Sequence, residues 1–319
     1  METITLRSVD LDRDFGQLAE LFSAEQNEPT TEAGLRSDYE AHKERIIRLM
    51  VAQDESGQLL GFNWMTRSRF DPKQAYLYVI VKPQCRGLGV GGRLYTDLEL
   101  AAKSAHVTQL EVGVRDDCPK CRSFADRNGF SEQRHSIGMT LNLTRFDDRP
   151  YDATISRLQA EGFQFTSMEA LGNTEETQQK LYTLNDMTAS ETPGSEGVHP
   201  WLDFADFQRS VCNSDWYKPA GQMVVMETAT GIWVGLSAIT RFEGADYAYN
   251  LHTGVDKRYR GRKLAQAVKV LALRFARDVL KVDEVRTNHN SQNIPMIAID
   301  RKFGYIQTTG SFVMVKKIG

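Results

Sequence analysis

The sequence contains no apolar run approaching the roughly 18 residues that a membrane-spanning helix needs. It also lacks any long block of lysine or arginine that would give nucleic acid an electrostatic footprint. Its 39 basic and 42 acidic side chains leave a formal net charge of −3. The opening METITLRSVD lacks the basic-then-apolar pattern of a secretory leader, so the expected location is the cytoplasm. These absences turn attention from membranes and nucleic acids to a small-molecule or peptide substrate. Cysteine is scarce, with only Cys85, Cys118, Cys121 and Cys212. Outside a secretory context an even count does not imply disulfides. Cys118-Pro-Lys-Cys121 has the spacing of a zinc half-site or a redox pair, but no second Cys or His pair follows at a matching distance. No metal is expected, and the two thiols read as incidental residues at a helix start.

What is present is a globular composition, 41% hydrophobic and 25% charged over 319 residues, long enough for two ordinary domains. The strongest organisational signal is an internal repeat. Residues 79–130 and 253–305 carry matched landmarks: Val81 with Val255, Gly87 with Gly261 and, after one residue of drift, Gly129 with Gly304. Each copy reads as an apolar strand, a glycine- and arginine-bearing turn, an amphipathic helix, a strand, a short helix and a last strand. In the second copy Leu264, Val268, Leu271 and Phe275 recur at helical spacing, marking a face that packs on a sheet. Upstream, the first copy predicts a strand over 3–9, helices over 12–25 and 31–44, and a hairpin pair over 46–54 and 58–69. The second predicts a strand over 164–170, helices over 174–189 and 203–212, and two strands within 222–243 around Thr230-Gly231. A mixed α/β class with two domains, 1–146 and 147–319, follows. The Pro- and Gly-rich stretch 190–200 is the expected loose loop and a candidate substrate flap.

The chemistry-bearing motif is Gln84-Cys85-Arg86-Gly87-Leu88-Gly89-Val90-Gly91-Gly92, set between an apolar strand and an amphipathic helix. Backbone N–H groups converging at a helix N-terminus bind phosphate. Glycine serves there because a Cβ would obstruct either the close approach or a positive φ, and Arg86 would add charge-assisted pairing. A mere tight turn is the bland alternative. A dinucleotide-binding loop is the nearest functional competitor, but the motif lies in mid-unit rather than after the first strand.

Gln84, Gly87 and Gly89 match the pattern Gln/Arg-x-x-Gly-x-Gly/Ala, which resembles the acyl-CoA loop of the GNAT superfamily of N-acetyltransferases. The segments Asn128-Gly129-Phe130 and Phe303-Gly304-Tyr305 resemble that family's Leu-Gly-Phe ending. Together the two copies cover nearly the whole chain, a tandem arrangement that occurs in the superfamily. The resemblance implies acetyl-CoA as cosubstrate, bound by the loop residues Gln84 to Gly92. It also implies a splayed strand ending at Val79, Ile80 and Val81, whose backbone holds the pantetheine arm and stabilises charge on the thioester oxygen. An amine attacks directly, with a base removing its proton and a donor available to the leaving thiolate.

The second copy reads Arg258-Tyr259-Arg260-Gly261-Arg262-Lys263, placing Lys263 where the second glycine belongs. Lys263 is either a solvated residue at a helix start or a cation reaching a phosphate. Val255, Arg260, Gly261 and Lys263 are the second-copy counterparts of the cofactor site, and Asn293 falls where many members of the family place an asparagine beside the cofactor arm. Cys118 takes that place in the first copy. The family's tyrosine acid position holds Ala125 and Asp300. Glu111 is the candidate base of the first copy, with a cross-strand pairing role as the alternative. In the second copy Tyr249, His252 and Asn288 are candidates to line the cleft. His252 and Asn288 are the catalytic candidates, His252 for its proton-shuttling range or simply as a structural histidine. Trp201, Trp216, Tyr217, Tyr247 and Tyr249 are candidates to shape an acceptor pocket between the copies. The resulting expectation is an acetyl-CoA-dependent N-acetyltransferase acting on a primary amine of a small molecule or peptide, as a monomer or homodimer. Its rival from another class is a non-catalytic acyl-CoA-binding or sensing protein.

Overall fold

The computed structural model describes residues 4–25 and 30–319. The elements of the first half run β1 (Thr5–Ser8), α1 (Leu11–Glu25), α2 (Glu32–His42), β2 (Ile46–Gln53), β3 (Leu59–Arg67), β4 (Gln74–Val81), α3 (Val90–Ser104), β5 (Gln109–Arg115), α4 (Pro119–Arg127) and β6 (Ser131–Asn142). The second half runs α5 (Asp152–Ala160), β7 (Phe163–Ser167), α6 (Glu175–Ser190), α7 (Phe204–Phe207), β8 (Gln222–Glu227), β9 (Trp233–Thr240), β10 (Ala248–Val255), α8 (Leu264–Asp278), β11 (Glu284–Asn290), α9 (Ile294–Phe303) and β12 (Ile306–Lys317). The expected strands and helices are present. The strand expected over 3–9 begins on a residue outside the described ones, and the helix expected over 203–212 is α7 continued by a π-helical turn, Gln208–Cys212. Helix α5 was not anticipated.

Local chemistry explains several boundaries. Thr31 caps α2 by accepting from the Gly34 N–H at 3.0 Å, and Thr174 caps α6 by accepting from the Thr177 N–H at 3.3 Å. Glu175 and Glu176 then sit at the positive end of α6. Asp54 closes the β2–β3 turn by accepting from the backbone of Ser56 and Gln58.

The compact units are 1–135 with 311–319, and 136–310. They differ from the contiguous halves 1–146 and 147–319 expected from sequence, because each unit takes its last strand from the other half of the chain. In the first unit β1 to β4 form an antiparallel run, β4 meets β5 in parallel, and residues 311–317 of β12 pair antiparallel with β5. In the second, β7 to β10 form the antiparallel run, β10 meets β11 in parallel, and residues 136–142 of β6 pair antiparallel with β11. Alternation of apolar residues marks a strand but does not name its partner, which is why the exchange escapes sequence reading.

Helices cover both faces of each sheet. In the first unit Phe15, Leu18 and Phe22 of α1 pack on Phe62 and Trp64, while Leu98 of α3 packs with Met65, Leu77 and Leu110 on the other face. In the second, Leu181 and Leu184 of α6 pack on Val224 and Leu236, and α8 buries Leu264, Val268 and Leu273 against Val234 and Val285. Each such side chain contributes about 1.5–3 kcal/mol of transfer free energy. One residue on the buried side of α8 is polar: Lys269 is fully buried.

Candidate active site

In both units the central parallel pair stops early. Strands β4 and β5 pair only from Gln74 to Tyr76 against Gln109 to Glu111, after which β4 keeps β3 alone as far as Val81. Strands β10 and β11 pair only at Ala248 with Val285 and Tyr249 with Arg286. Beyond that point β10 stays on β9 and β11 on β6. A register shift between Asn250 and His252 marks the divergence, and the Thr287 hydroxyl donates to the Asn250 carbonyl at 2.9 Å where the ladder ends. Val79, Ile80, Val81 and Val255 lie on the diverging strand ends, whose inner edges offer backbone N–H and C=O groups to an extended, amide-bearing ligand.

Each diverging strand leads into a turn and an uncapped helix start. Gly87 and Gly261 have φ of +82° and +83°. Gly89 at the N-cap of α3 has φ +87°, and Lys263 at the N-cap of α8 has φ +71°, neither making a side-chain cap bond. Lys263 therefore retains the left-handed turn of the glycine it replaces, at a cost of about 1–2 kcal/mol. Its side chain, and those of Gln84 and Leu88, are exposed. A Cβ added at Gly87, Gly89, Gly92 or Gly261 would meet nothing within 4 Å. Open space over free helix-start N–H groups fits an anionic pyrophosphate. Val90 is 1% exposed, so its contribution there is through the backbone; a Cβ added at Gly91 would meet the Phe124 ring at 3.5 Å.

The two arginines anticipated at the phosphate are both engaged within the protein. Arg86 donates to the Val81 carbonyl at 3.1 Å and pairs with Glu25. Arg260 likewise donates to the Val255 carbonyl at 2.9 Å and pairs with Glu191 at 2.7 Å. Each guanidinium thus ties its strand end to the end of a helix, α1 or α6, instead of standing free for a phosphate. The repetition of this contact is a sign of the duplication that sequence spacing alone did not reveal.

In the first unit Glu111 is the last β5 residue paired with β4, and it accepts from the Gln74 amide at 3.1 Å. Burial pushes its carboxyl up, opposed by the charge of Arg134. Cys118 and Cys121, read from sequence as incidental thiols, are joined in a disulfide at the start of α4.

The second unit holds a cavity of about 340 Å³ lined by Asn185, Trp201, Trp216, Gln222, Leu251 and His252 among others. Of the aromatic residues expected to shape a pocket, Trp201 and Trp216 line this one, and the cavity lies within the second unit. Tyr217 and Tyr247 are buried at 7% and 4%, and Tyr249 accepts from the Asn288 amide at 2.7 Å. The 190–200 loop is anchored: the Asn290 amide donates to the Gly194 carbonyl at 2.8 Å. Pro200 lines the cavity from its end. Gln222 is 3% exposed and its Nε2 has no hydrogen-bond partner among the described residues. A buried side-chain donor left without a partner is uncommon in folded proteins.

His252 sits on the diverging part of β10. The Thr188 hydroxyl donates its one proton to the Leu184 carbonyl at 2.8 Å, so it accepts from His252 Nε2 at 2.9 Å. That leaves Nδ1 as the lone-pair nitrogen. Burial, with the charge of His289, lowers the His252 pKa to about 4. The imidazole therefore stays neutral across the physiological range instead of titrating within it, as its ordinary pKa would suggest. Asn293 is the N-cap of α9 and makes no side-chain cap bond. Sequence reading missed the buried polar row behind this site. Lys269 donates to Asp300 Oδ1 at 2.5 Å, and His289 Nε2 lies 2.7 Å from Asp300 Oδ2. The one signal available was Asp300 at the tyrosine position, which reads as a loss until the fold shows its partners.

Comparison with known proteins bears on this geometry. Residues 15–130 match the model of the acetyltransferase (GNAT) family. That match lies within the first unit and runs from α1 to the residue before β6. Over its full length the chain has the tandem GNAT fold. It is similar to a tandem GNAT protein from the clavulanic acid biosynthesis pathway, with a TM-score of 0.73 at 18% identity over 99% of each chain. It is also similar to a GCN5-related N-acetyltransferase from Sphaerobacter thermophilus, at TM-score 0.72 and 17% identity over 98% of this chain and 95% of that one. A glucosamine N-acetyltransferase region of a fungal multi-domain β-N-acetylglucosaminidase gives TM-score 0.74 at 14% identity, over 99% of this chain and 38% of that one. No curated protein matches the sequence. Among the described residues no helix is long and apolar enough to cross a membrane.

Proposed function

We propose that this GNAT chain transfers an acetyl group from acetyl-CoA to a primary amine of a small molecule or peptide. The observation that carries the reading is the diverging strand pair leading into a left-handed turn and an uncapped helix start, present in both units. The strand edges suit the amides of a pantetheine arm, and the helix starts suit its pyrophosphate. Acetyl-CoA supplies an acetyl group already activated as a thioester. The chain's own residues do the rest. The second unit is the better acceptor site, because its cavity opens on the diverging part of β10 at Leu251 and His252. None of the lining residues carries a charge at neutral pH, so the site favours the neutral, nucleophilic form of an amine over the ammonium. His252, with a pKa near 4, is too weak a base to remove a proton outright. Its lone pair orients an N–H donor instead. Gln222 offers a donor to an oxygen on the acceptor, and the two tryptophans enclose its body and exclude water.

Calorimetric titration of acetyl-CoA, with Gly89→Trp and Gly261→Trp variants alongside, tests this reading. Loss of one binding event in each variant supports two cofactor sites, and loss in only one assigns the site to that unit. Binding without release of coenzyme A for any amine would favour a sensing protein over an enzyme, and no binding at all would refute both.

A further inference from the structure

Behind the second unit's strand divergence lies a charged row that structural need alone does not explain. Lys269 of α8 and Asp300 of α9 are both fully buried and paired at 2.5 Å. That pair is already neutral and already ties the two helices together. A third group is nevertheless attached: His289 of β11, its side chain 9% exposed, lies with Nε2 2.7 Å from the second carboxylate oxygen. His289 belongs to the stretch of β11, Thr287 to Asn290, that pairs with β6 but no longer with β10. Strand alternation puts it on the same face as the buried Val285 and Thr287. Lys269 and His289 hold the Asp300 carboxyl below its usual range although burial opposes this. An ionised Asp300 fixes the proton on Nε2, as a buried aspartate does for a catalytic histidine. Nδ1 makes no hydrogen bond among the described residues and is the position at which a proton can come and go.

We propose that His289, oriented by Asp300 and Lys269, exchanges a proton with the sulfur of coenzyme A in the second unit. The proposal rests on the acetyl-CoA reading above. As the new N–C bond forms and the C–S bond breaks, sulfur leaves with the bonding electron pair and takes the proton from Nδ1 of the imidazolium. The proton released by the amine restores it, so protons and electrons balance with no further reactant. The charged or titratable groups around His289 are Asp300 and Lys269 from the helices and His252 from β10, whose proton affinity the charge of His289 lowers. Tyr305, whose buried hydroxyl has no partner among the described residues, lies with its ring centroid 5.0 Å from Lys269 Nζ.

The test needs no acceptor amine. Coenzyme A is bound to the full chain carrying Gly89→Trp, which closes the first loop, and the thiolate absorbance is followed as a function of pH. A thiol partnered by His289 should ionise at least one pH unit below free coenzyme A, a tenfold gain in thiolate fraction. His289→Gln, which keeps a donor for Asp300, should return the midpoint to the free value while coenzyme A affinity changes less than twofold. Asp300→Asn provides a second variant and should shrink the shift. An unshifted midpoint, or one equally shifted in His289→Gln, overturns the proposal and leaves the acetyl-CoA reading standing. Absence of coenzyme A binding overturns both.

Discussion

Replacing His252 by glutamine should remove a large part of the second unit's acid sensitivity. Burial lowers the pKa of this histidine from 6.5 to about 4, so between those values the unfolded chain binds a proton that the folded protein refuses. Stability linked to His252 is therefore fully present above pH 6.5 and is lost as pH falls toward 4. At ~1.4 kcal/mol per pH unit, the displacement corresponds to about 3 kcal/mol. Glutamine preserves a donor for Thr188 without a titrating ring. Trp201, Trp216 and Trp233 belong to the second unit and Trp64 to the first, so tryptophan fluorescence reports mainly on the second. Urea unfolding at a series of pH values from 7 to 4 should show the wild-type protein losing ~3 kcal/mol more than His252→Gln over that interval. Carboxylates that titrate in the same window affect both proteins alike and cancel in the difference. A difference that stays constant with pH would refute the reasoning and return His252 to the ordinary range.

Lys269→Met should destabilise the second unit by ~3–5 kcal/mol by leaving Asp300 as a buried charge without its cation, read as a lower urea midpoint; a change below ~1 kcal/mol would mean that water reaches the carboxylate. Glu111→Gln should lower any turnover in the first unit by ~10²-fold with acetyl-CoA affinity intact, whereas unchanged turnover would leave Glu111 as a strand-pairing residue. Thiol titration of the unreduced, denatured protein should find two of the four cysteines reactive, Cys85 and Cys212, because Cys118 and Cys121 are bonded. Four reactive thiols would contradict that bond.

The sequence by itself determined the duplication, the element order and the two glycine-bearing turns, because these rest on local rules. Helical and strand periodicities follow from backbone geometry, and Gly87, Gly89 and Gly261 stand where a positive φ is needed whatever the rest of the chain does. It also marked Trp201, Trp216 and His252, which meet at one cavity, but had no means of separating them from Tyr217 and Tyr247, which pack inside. Only the tertiary structure decided three things, each a matter of partners distant in sequence. The exchange of β6 and β12 between the units depends on which edge is free to pair, which alternation does not encode. The engagement of Arg86 and Arg260 by strand carbonyls and by Glu25 and Glu191 depends on helices folded back beside the turn. The row Lys269, Asp300 and His289 joins α8, α9 and β11, and in the sequence its members are a lysine in an amphipathic helix, a lost tyrosine and an unremarked histidine. Burial turns those three side chains into one charged unit, since in a low-dielectric interior a carboxylate persists only where its counter-charges and hydrogen bonds are assembled around it.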